Sequence, residues 1–324
     1  MRAVVCREYG PPERLVFEDL PPVEARPGEV VVSVKAASVN FLDTLIIQNK
    51  YQVKPPLPFS PGGEMAGVVK TVGTGVTGIP PGARVMALTT YGAFAEEIAV
   101  PAARVMAMPD GMDFPVAASL LLTYGTSDHA LTDRGQLQAG ERLLVLGAAG
   151  GVGTAAIEIG KALGAYVIAC ASSDEKLALC REEGADAAIN YVTTDLREAV
   201  KAVTGGEGID VVYDAVGGAY TEPALRSLKW RGRLLVVGFA AGDIPKISLN
   251  LTLLKGCSIV GVNIGGFTTR EPGSFAATVA RLGRWYAQGT IRPRVTEMVP
   301  LEQAADALAR MAARRVKGKI VLLV

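Results

Sequence analysis

Ala148, Gly150 and Gly153 stand at the three small-residue positions of a G-x-G-x-x-G turn, in the segment Leu143-Leu-Val-Leu-Gly147-Ala148-Ala149-Gly150-Gly151-Val152-Gly153. An apolar strand-like run precedes the turn and a helical pattern follows it. Backbone can approach a pyrophosphate where Gly150 lacks a side chain, and a helix can close on a strand where Gly153 lacks one. The helix start at Gly151 and Val152 then offers free N–H groups and the positive dipole end to phosphate oxygens. The chemistry implied is dinucleotide binding. A purely structural glycine turn needs the same residue types, but the strand before and the helix after favour the cofactor.

A carboxylate at the end of the second strand, roughly 20 residues past the turn, is the usual partner of the NAD ribose hydroxyls. Here that position falls on Ala171, followed by Ser172-Ser173-Asp174-Glu175-Lys176. Ala171 removes a repulsion that a 2′-phosphate would feel, and Ser172, Ser173 and Lys176 supply donors. Ser172-x-x-Glu175 also reads as a capping box, and Asp174 and Glu175 oppose a phosphate unless they point away. A lysine in a first helical turn is disfavoured by the dipole, so a bound phosphate would explain Lys176. The balance predicts NADPH rather than NADH.

The turn needs a sheet to hold it. Apolar β-type runs at 143–147, 166–170, 187–190, 210–214, 233–237 and 258–262 alternate with helical patterns, the first striped by Val152, Ala156, Ile159 and Leu163. That alternation predicts a doubly wound α/β fold with a six-stranded parallel sheet. The first 120 or so residues read differently. Short strands near 30–35 and 64–71 are broken repeatedly by Pro and Gly, the texture of an irregular, mostly β domain. The tail holds helical patterns near 275–288 and 302–315 and a last strand near 319–324, and is expected to pack on the first domain. The predicted domains are 1–122, 123–265 and 266–324, the last completing the first.

The 324 residues are 49% hydrophobic and 20% charged, with 33 Lys and Arg against 32 Asp and Glu and a formal net charge of +1. Nucleic-acid binders carry a basic excess, which is absent here. No apolar run is long enough for a membrane span or a secretory leader, and Cys6, Cys170, Cys180 and Cys257 have neither zinc nor disulfide spacing. A cytoplasmic protein with reduced thiols is expected. The lone His129 has no evident partner in sequence and is read as structural.

Several motifs together resemble the zinc-free, zeta-crystallin-like quinone oxidoreductases of the medium-chain dehydrogenase/reductase superfamily. They are the turn at 148–153, Val39-Asn40-Phe41-Leu42-Asp43-Thr44, Pro61-Gly62-Gly63-Glu64-Met65-Ala66-Gly67, Leu122-Thr123-Tyr124-Gly125-Thr126, Ala188-Ile189-Asn190-Tyr191, Asp214-Ala215-Val216-Gly217-Gly218 and Val237-Gly238-Phe239. The resemblance implies a GroES-like catalytic domain, built from the first 122 or so residues and the C-terminal tail, around an inserted Rossmann domain. It implies that Ser172, Ser173, Lys176 and Tyr191 lie near the adenosine 2′-phosphate, with Arg315 or Arg314 as a further basic residue. Thr126, Gly238 and Phe239 join the cofactor residues on the same ground. It also implies a homodimer, for which an apolar edge strand near 257–262 gives an independent reason.

Departures from the zinc enzymes of the superfamily are informative. Asn40 stands where they place a Cys, and Gly63 where they place a His. A catalytic zinc needs about three converging N, S or O ligands, so no metal is expected. No Tyr-x-x-x-Lys occurs, which argues against the short-chain dehydrogenases. Without a Lewis acid the expected reaction is hydride transfer from NADPH to a quinone or other conjugated carbonyl, with enoyl-CoA or enone double-bond reduction as the alternative. If the resemblance holds, Asn40, Asp43 and Tyr51 are the polar residues on the nicotinamide side. Tyr51 is either an acid for the developing anion or a wall of the cleft, Asn40 is a partner for nicotinamide or ribose, and Asp43 orients its neighbours. A crystallin-like structural role or RNA binding, both credited to relatives, would leave the cofactor site intact.

Overall fold

The structure is a computed structural model describing residues 1–324. In chain order it begins with β1 (Arg2–Val5), β2 (Val16–Asp19), β3 (Glu29–Ser38), α1 (Phe41–Ile46), β4 (Glu64–Val72), β5 (Arg84–Leu88), β6 (Glu97–Pro101), β7 (Val105–Ala107) and α2 (Phe114–Ala117). Next come α3 (Thr123–Asp128), β8 (Arg142–Leu146), α4 (Gly151–Ala162), β9 (Tyr166–Ala171), α5 (Asp174–Glu182), β10 (Ala187–Asn190), α6 (Leu196–Thr204), β11 (Ile209–Asp214) and α7 (Thr221–Arg226). The chain continues through β12 (Leu228–Val236), α8 (Asn250–Lys255), β13 (Ser258–Gly261), α9 (Ile264–Arg270) and α10 (Pro272–Ala287). It ends with β14 (Glu297–Pro300), α11 (Ala304–Ala312) and β15 (Ile320–Leu323). Two compact units result, one of residues 1–122 with 293–324, the other of residues 123–292.

The second unit is a six-stranded, wholly parallel sheet in the order β10-β9-β8-β11-β12-β13. Its central strands are apolar on both faces: Leu143, Leu144, Val145 and Leu146 are all fully buried, as are Val211, Val212 and Tyr213. Each such side chain contributes about 1.5–3 kcal/mol by leaving water. The order doubles back between β8 and β11, and ligands of such sheets bind at the strand ends beside that reversal. Helix α4 lies close against the sheet because Gly160 has no side chain; a Cβ there would stand 2.8 Å from Leu143 Cδ2. Its buried face centres on Ala155, Ala156 and Ile159, whereas Val152 and Leu163 of the expected stripe are only partly buried.

The segment 266–292, expected to join the first domain, belongs instead to the second unit. Three contacts hold it there. Phe267 stacks on His129 with centroids 3.9 Å apart, Phe275 fills the space left open at Gly125, and Arg281 Nε donates to buried Asp128 at 3.0 Å. His129 therefore has partners that the sequence did not reveal, Phe267 and also Asp133, whose carboxylate lies 3.0 Å from Nδ1.

The first unit is a mostly antiparallel β structure, as its irregular Pro- and Gly-rich sequence implies. Its seven-stranded sheet runs β14-β15-β3-β4-β5-β7, with β6 pairing β3, and β1 and β2 form a separate pair. The registers Ser38↔Val321 and Ala37↔Met65 bring the end of β3, the start of β4 and the start of β15 together. Val39 N–H donates to Ile320 O at 3.0 Å and extends that junction toward α1. Residues 293–324 thus complete this sheet through β15.

Candidate functional site

The glycine turn closes β8 and opens α4. Gly147 takes a left-handed φ of 70°, Ala148 N–H donates to Cys170 O at 3.0 Å, and Gly150 N–H donates to Gly147 O at 3.0 Å. The two later glycines do different work. A Cβ on Gly153 would lie 2.4 Å from Gly147 O and 2.6 Å from Ala148 O, so helix and turn could not meet. A Cβ on Gly150 would meet nothing nearer than 3.5 Å, so its bareness serves no internal packing and leaves room for a ligand. Gly150 caps α4 without any side-chain hydrogen bond, so the first N–H groups of the helix remain available to an anion. These features fit a dinucleotide pyrophosphate.

Ser127 supports the turn from α3, donating to Val152 O at 2.8 Å and meeting Tyr213 Oη at 2.9 Å. Thr126 beside it is buried. At the end of β11, buried Asp214 accepts from Val216 N–H at 2.9 Å, Gly217 N–H at 2.8 Å and Thr221 Oγ1 at 2.6 Å. Asp214 shapes the loop against which Phe239 packs, since a Cβ on Gly217 would stand 2.8 Å from that ring. Gly238 N–H donates to Asp214 O at 3.2 Å.

Strand β9 ends at buried Ala171, which puts no carboxylate at that position itself. The cap of α5 is Ser173, whose Oγ accepts from Lys176 N–H at 3.4 Å, so the N-cap falls one residue after Ser172 and the capping box expected of Ser172 and Glu175 is not the cap that forms. Ser172 is exposed and lies 3.5 Å from Lys176 Nζ. Asp174 accepts from Asn190 Nδ2 at 3.2 Å and is thereby turned toward β10. Tyr191 packs its ring on Tyr220 at a centroid distance of 4.4 Å. Arg315 lies in the first unit, exposed, just after α11, and Arg314 before it adopts a left-handed φ of 57°.

A second group of polar side chains lies at the β3–β4–β15 junction. Lys319, Glu64, Asp43, Asn40 and Ser38 are all buried. Lys319 Nζ donates to Asn40 Oδ1 and stands 3.6 Å from Glu64 Oε2. Asn40 Nδ2 donates to Ser38 Oγ at 2.9 Å and to Ser38 O at 3.2 Å. Ser38 Oγ donates to Glu64 Oε2 at 2.5 Å, and Glu64 Oε1 accepts from Leu122 N–H at 2.8 Å. Asp43 Oδ2 accepts from Asn40 N–H at 2.8 Å, while Asp43 Oδ1 is buried with no hydrogen-bond partner. Burial pushes the Asp43 carboxyl up to about 7, against the opposing pull of the Asn40 N–H and Lys319. Burial lowers the Lys319 ammonium while Glu64 and Asp43 draw it back up. Tyr51 packs on the apolar core of this unit, and its phenol is raised by burial and then by Asp43.

Asn40, Asp43 and Tyr51 are thus brought into one region, but the Asn40 amide is occupied by protein partners on both its oxygen and its nitrogen. Ser38, Glu64 and Lys319 were not singled out as site residues from sequence. The available signals were Glu64 at the centre of a quoted motif and a lysine opening an apolar terminal strand. No group of three or more His, Cys, Asp or Glu side chains is arranged to hold a metal ion.

The alcohol dehydrogenase GroES-like domain family matches residues 26–110, and the zinc-binding dehydrogenase family matches residues 151–282. The bovine quinone oxidoreductase-like protein 2 is 38% identical over 99% of this chain and 92% of its own length. The chain belongs to the medium-chain dehydrogenase/reductase superfamily, in its quinone oxidoreductase group. A Pseudomonas aeruginosa quinone oxidoreductase is 36% identical over 97% of both chains. The structure of Escherichia coli quinone oxidoreductase complexed with NADPH superposes with a TM-score of 0.94 at 30% identity, covering 100% of both chains. As a member of this group the protein is an oxidoreductase, and the GroES-like and Rossmann-type folds of the superfamily are those of its two units.

Proposed function

We propose that the protein is an NADPH-dependent reductase of quinones or other conjugated carbonyl compounds that works without zinc. The observation that carries this reading is the end of β9. Ala171 in place of a carboxylate, two serine hydroxyls and the Lys176 ammonium suit a 2′-phosphate, and Asp174 is engaged by Asn190. The Escherichia coli relative complexed with NADPH supports the same choice. Gly150, Gly151, Val152 and Gly153 would hold the pyrophosphate, with Ala148 at the base of the turn. Ser172, Ser173, Lys176 and Tyr191 would hold the adenosine 2′-phosphate, with Arg315 or Arg314 as a further basic residue, and Thr126, Gly238 and Phe239 would complete the cofactor site.

NADPH, when bound, supplies a hydride. The chain must then stabilise the negative charge that arrives on the substrate oxygen. Conjugation spreads that charge into an enolate or quinolate, which one good donor can stabilise. Tyr51 is that donor in our reading: burial holds its phenol protonated, and Asp43 adds to this when ionised. Asp43 and Asn40 shape the region behind it. Neither Asn40 nor Gly63 supplies the thiolate or imidazole that zinc requires, so elemental analysis should find far less than one zinc per chain and chelators should leave activity unchanged. Stoichiometric zinc would overturn this part of the reading.

We assign a cytoplasmic homodimer as the working form; no helix is long and apolar enough to cross a membrane. Strand β13 is an outer strand of the six-stranded sheet. In the same unit Trp230, Ile244, Leu249, Leu253 and Leu254 are each about 70–80% exposed, an amount of bare apolar surface that calls for a partner. A second copy pairing along β13 would cover it. Light scattering at micromolar concentration should give a dimer, and Leu253→Glu with Leu254→Glu should shift it toward monomer. Wild-type monomer at that concentration would contradict the assignment.

A further inference from the structure

Lys319 is only 5% exposed, although lysine almost never loses its contact with water without a partner. The fold goes to some length to bury it. Gly318 takes a left-handed φ of 64° immediately before it, and a Cβ at 318 would lie 2.4 Å from Thr296 Cγ2. Thr296 Oγ1 accepts from Lys319 N–H at 2.9 Å and donates to Lys317 O at 2.6 Å. Thr296 N–H also donates to Lys319 O at 2.9 Å, so the backbone is pinned on both sides of the residue, and its ammonium is delivered to Asn40 and Glu64.

We propose that Lys319 is a positioning residue for the reduction, acting through Asn40 and Glu64 to fix the first turn of α1 and to keep the buried cluster around Asp43 free of net negative charge. The inference rests on the reductase reading given above. An ammonium on Asn40 Oδ1 sets which end of the amide faces it, and so directs Nδ2 to Ser38. Asn40 N–H in turn holds Asp43 Oδ2 at 2.8 Å. With Lys319 and Glu64 both charged, a protonated Asp43 leaves the cluster neutral. An ionised Asp43 leaves it with one negative charge beside Tyr51, where the substrate oxygen must gain negative charge.

The groups that face Asp43 are few. Lys319 just before β15, Glu64 on β4, Tyr51 and the N–H groups of Asn40 and Gly63 act on it. Helix α11, which packs beside α1, buries Ala304, Ala307 and Leu308, and its Arg310 is paired with Asp306 at 2.9 Å. Lys319 pulls the Asp43 carboxyl down and Glu64 pushes it up. Removing either partner should therefore move the titration in opposite directions, which a merely structural role would not do.

The test is the pH profile of kcat for quinone reduction by the full-length protein at saturating NADPH. Wild type should lose activity as pH rises through about 7, the value to which Asp43 is raised, and Asp43→Asn should lack this inflection. Lys319→Met should move it to higher pH and lower kcat about tenfold, below the roughly hundredfold cost of a full ångström of misplacement. Lys319→Arg keeps the charge and should restore the wild-type inflection. Glu64→Gln leaves the cluster neutral even when Asp43 is ionised and should remove the high-pH loss of activity, and this decides the matter if Lys319→Met does not fold. An inflection unmoved in both Lys319→Met and Glu64→Gln would overturn the proposal while leaving the reductase reading intact. A wild-type protein with no quinone or enone reduction at any pH would overturn that reading, and this proposal with it.

Discussion

Lys176→Ala is expected to weaken NADPH binding about ten- to a hundredfold and to leave NADH binding nearly unchanged. The expectation follows from charge. A hydrogen bond to an ionised group is worth about 1.5–3 kcal/mol, and only NADPH carries the 2′-phosphate that the ammonium would meet. Lys176 lies 3.5 Å from the exposed Ser172 hydroxyl, so the two form a pair of donors on one side of the strand end. The helix is not at risk, because the cap is made by Ser173 with the Lys176 backbone and not with its side chain. Binding measured by quenching of intrinsic fluorescence, with both nucleotides, separates the outcomes. Equal weakening of NADPH and NADH would sink the phosphate role. A converse change, Ala171→Asp, should place a carboxylate at the end of β9 and shift preference toward NADH.

Tyr51→Phe is expected to lower kcat about a hundredfold with little change in the Kd of NADPH. Removing one preorganised donor to a developing anion costs on the order of 3 kcal/mol in a dry site, and such a loss should be absent from ground-state binding. The ring itself packs against the apolar core of the first unit, and phenylalanine keeps that packing. Burial keeps the phenol protonated across the neutral range, and Asp43 adds to this when ionised, so wild-type Tyr51 remains a donor throughout the pH interval in which Asp43 titrates. A silent Tyr51→Phe would return the residue to the role of cleft wall.

Much of this is legible in the amino-acid sequence. The six parallel strands announced themselves because strands buried on both faces read as continuous apolar runs, and Ala187–Asn190 was found to the residue. The glycine turn was legible because two of its positions tolerate no side chain for different reasons, one for packing and one for a ligand. What stayed hidden was of two kinds. Boundaries that depend on distant packing were one. The helices of 266–292 carry no local sign that Phe267 will stack on His129 or that Arg281 will find Asp128. The other was the Lys319–Glu64–Asn40–Ser38 network, whose members are up to 281 residues apart in the chain. Only the register of β15 on β3 and of β3 on β4 brings them together. Sequence pattern marks Asn40 as a polar residue awaiting a partner outside the protein, whereas its amide is already occupied within it.

The central claim is best tested by steady-state reduction with wild-type protein and NADPH of three acceptors: a simple benzoquinone, an α,β-unsaturated ketone and the matching saturated ketone. Charge delocalisation predicts turnover of a conjugated acceptor and none of the saturated ketone, and the 2′-phosphate site predicts a much poorer rate when NADH replaces NADPH. Turnover of the saturated ketone at the rate of the conjugated ones would contradict it.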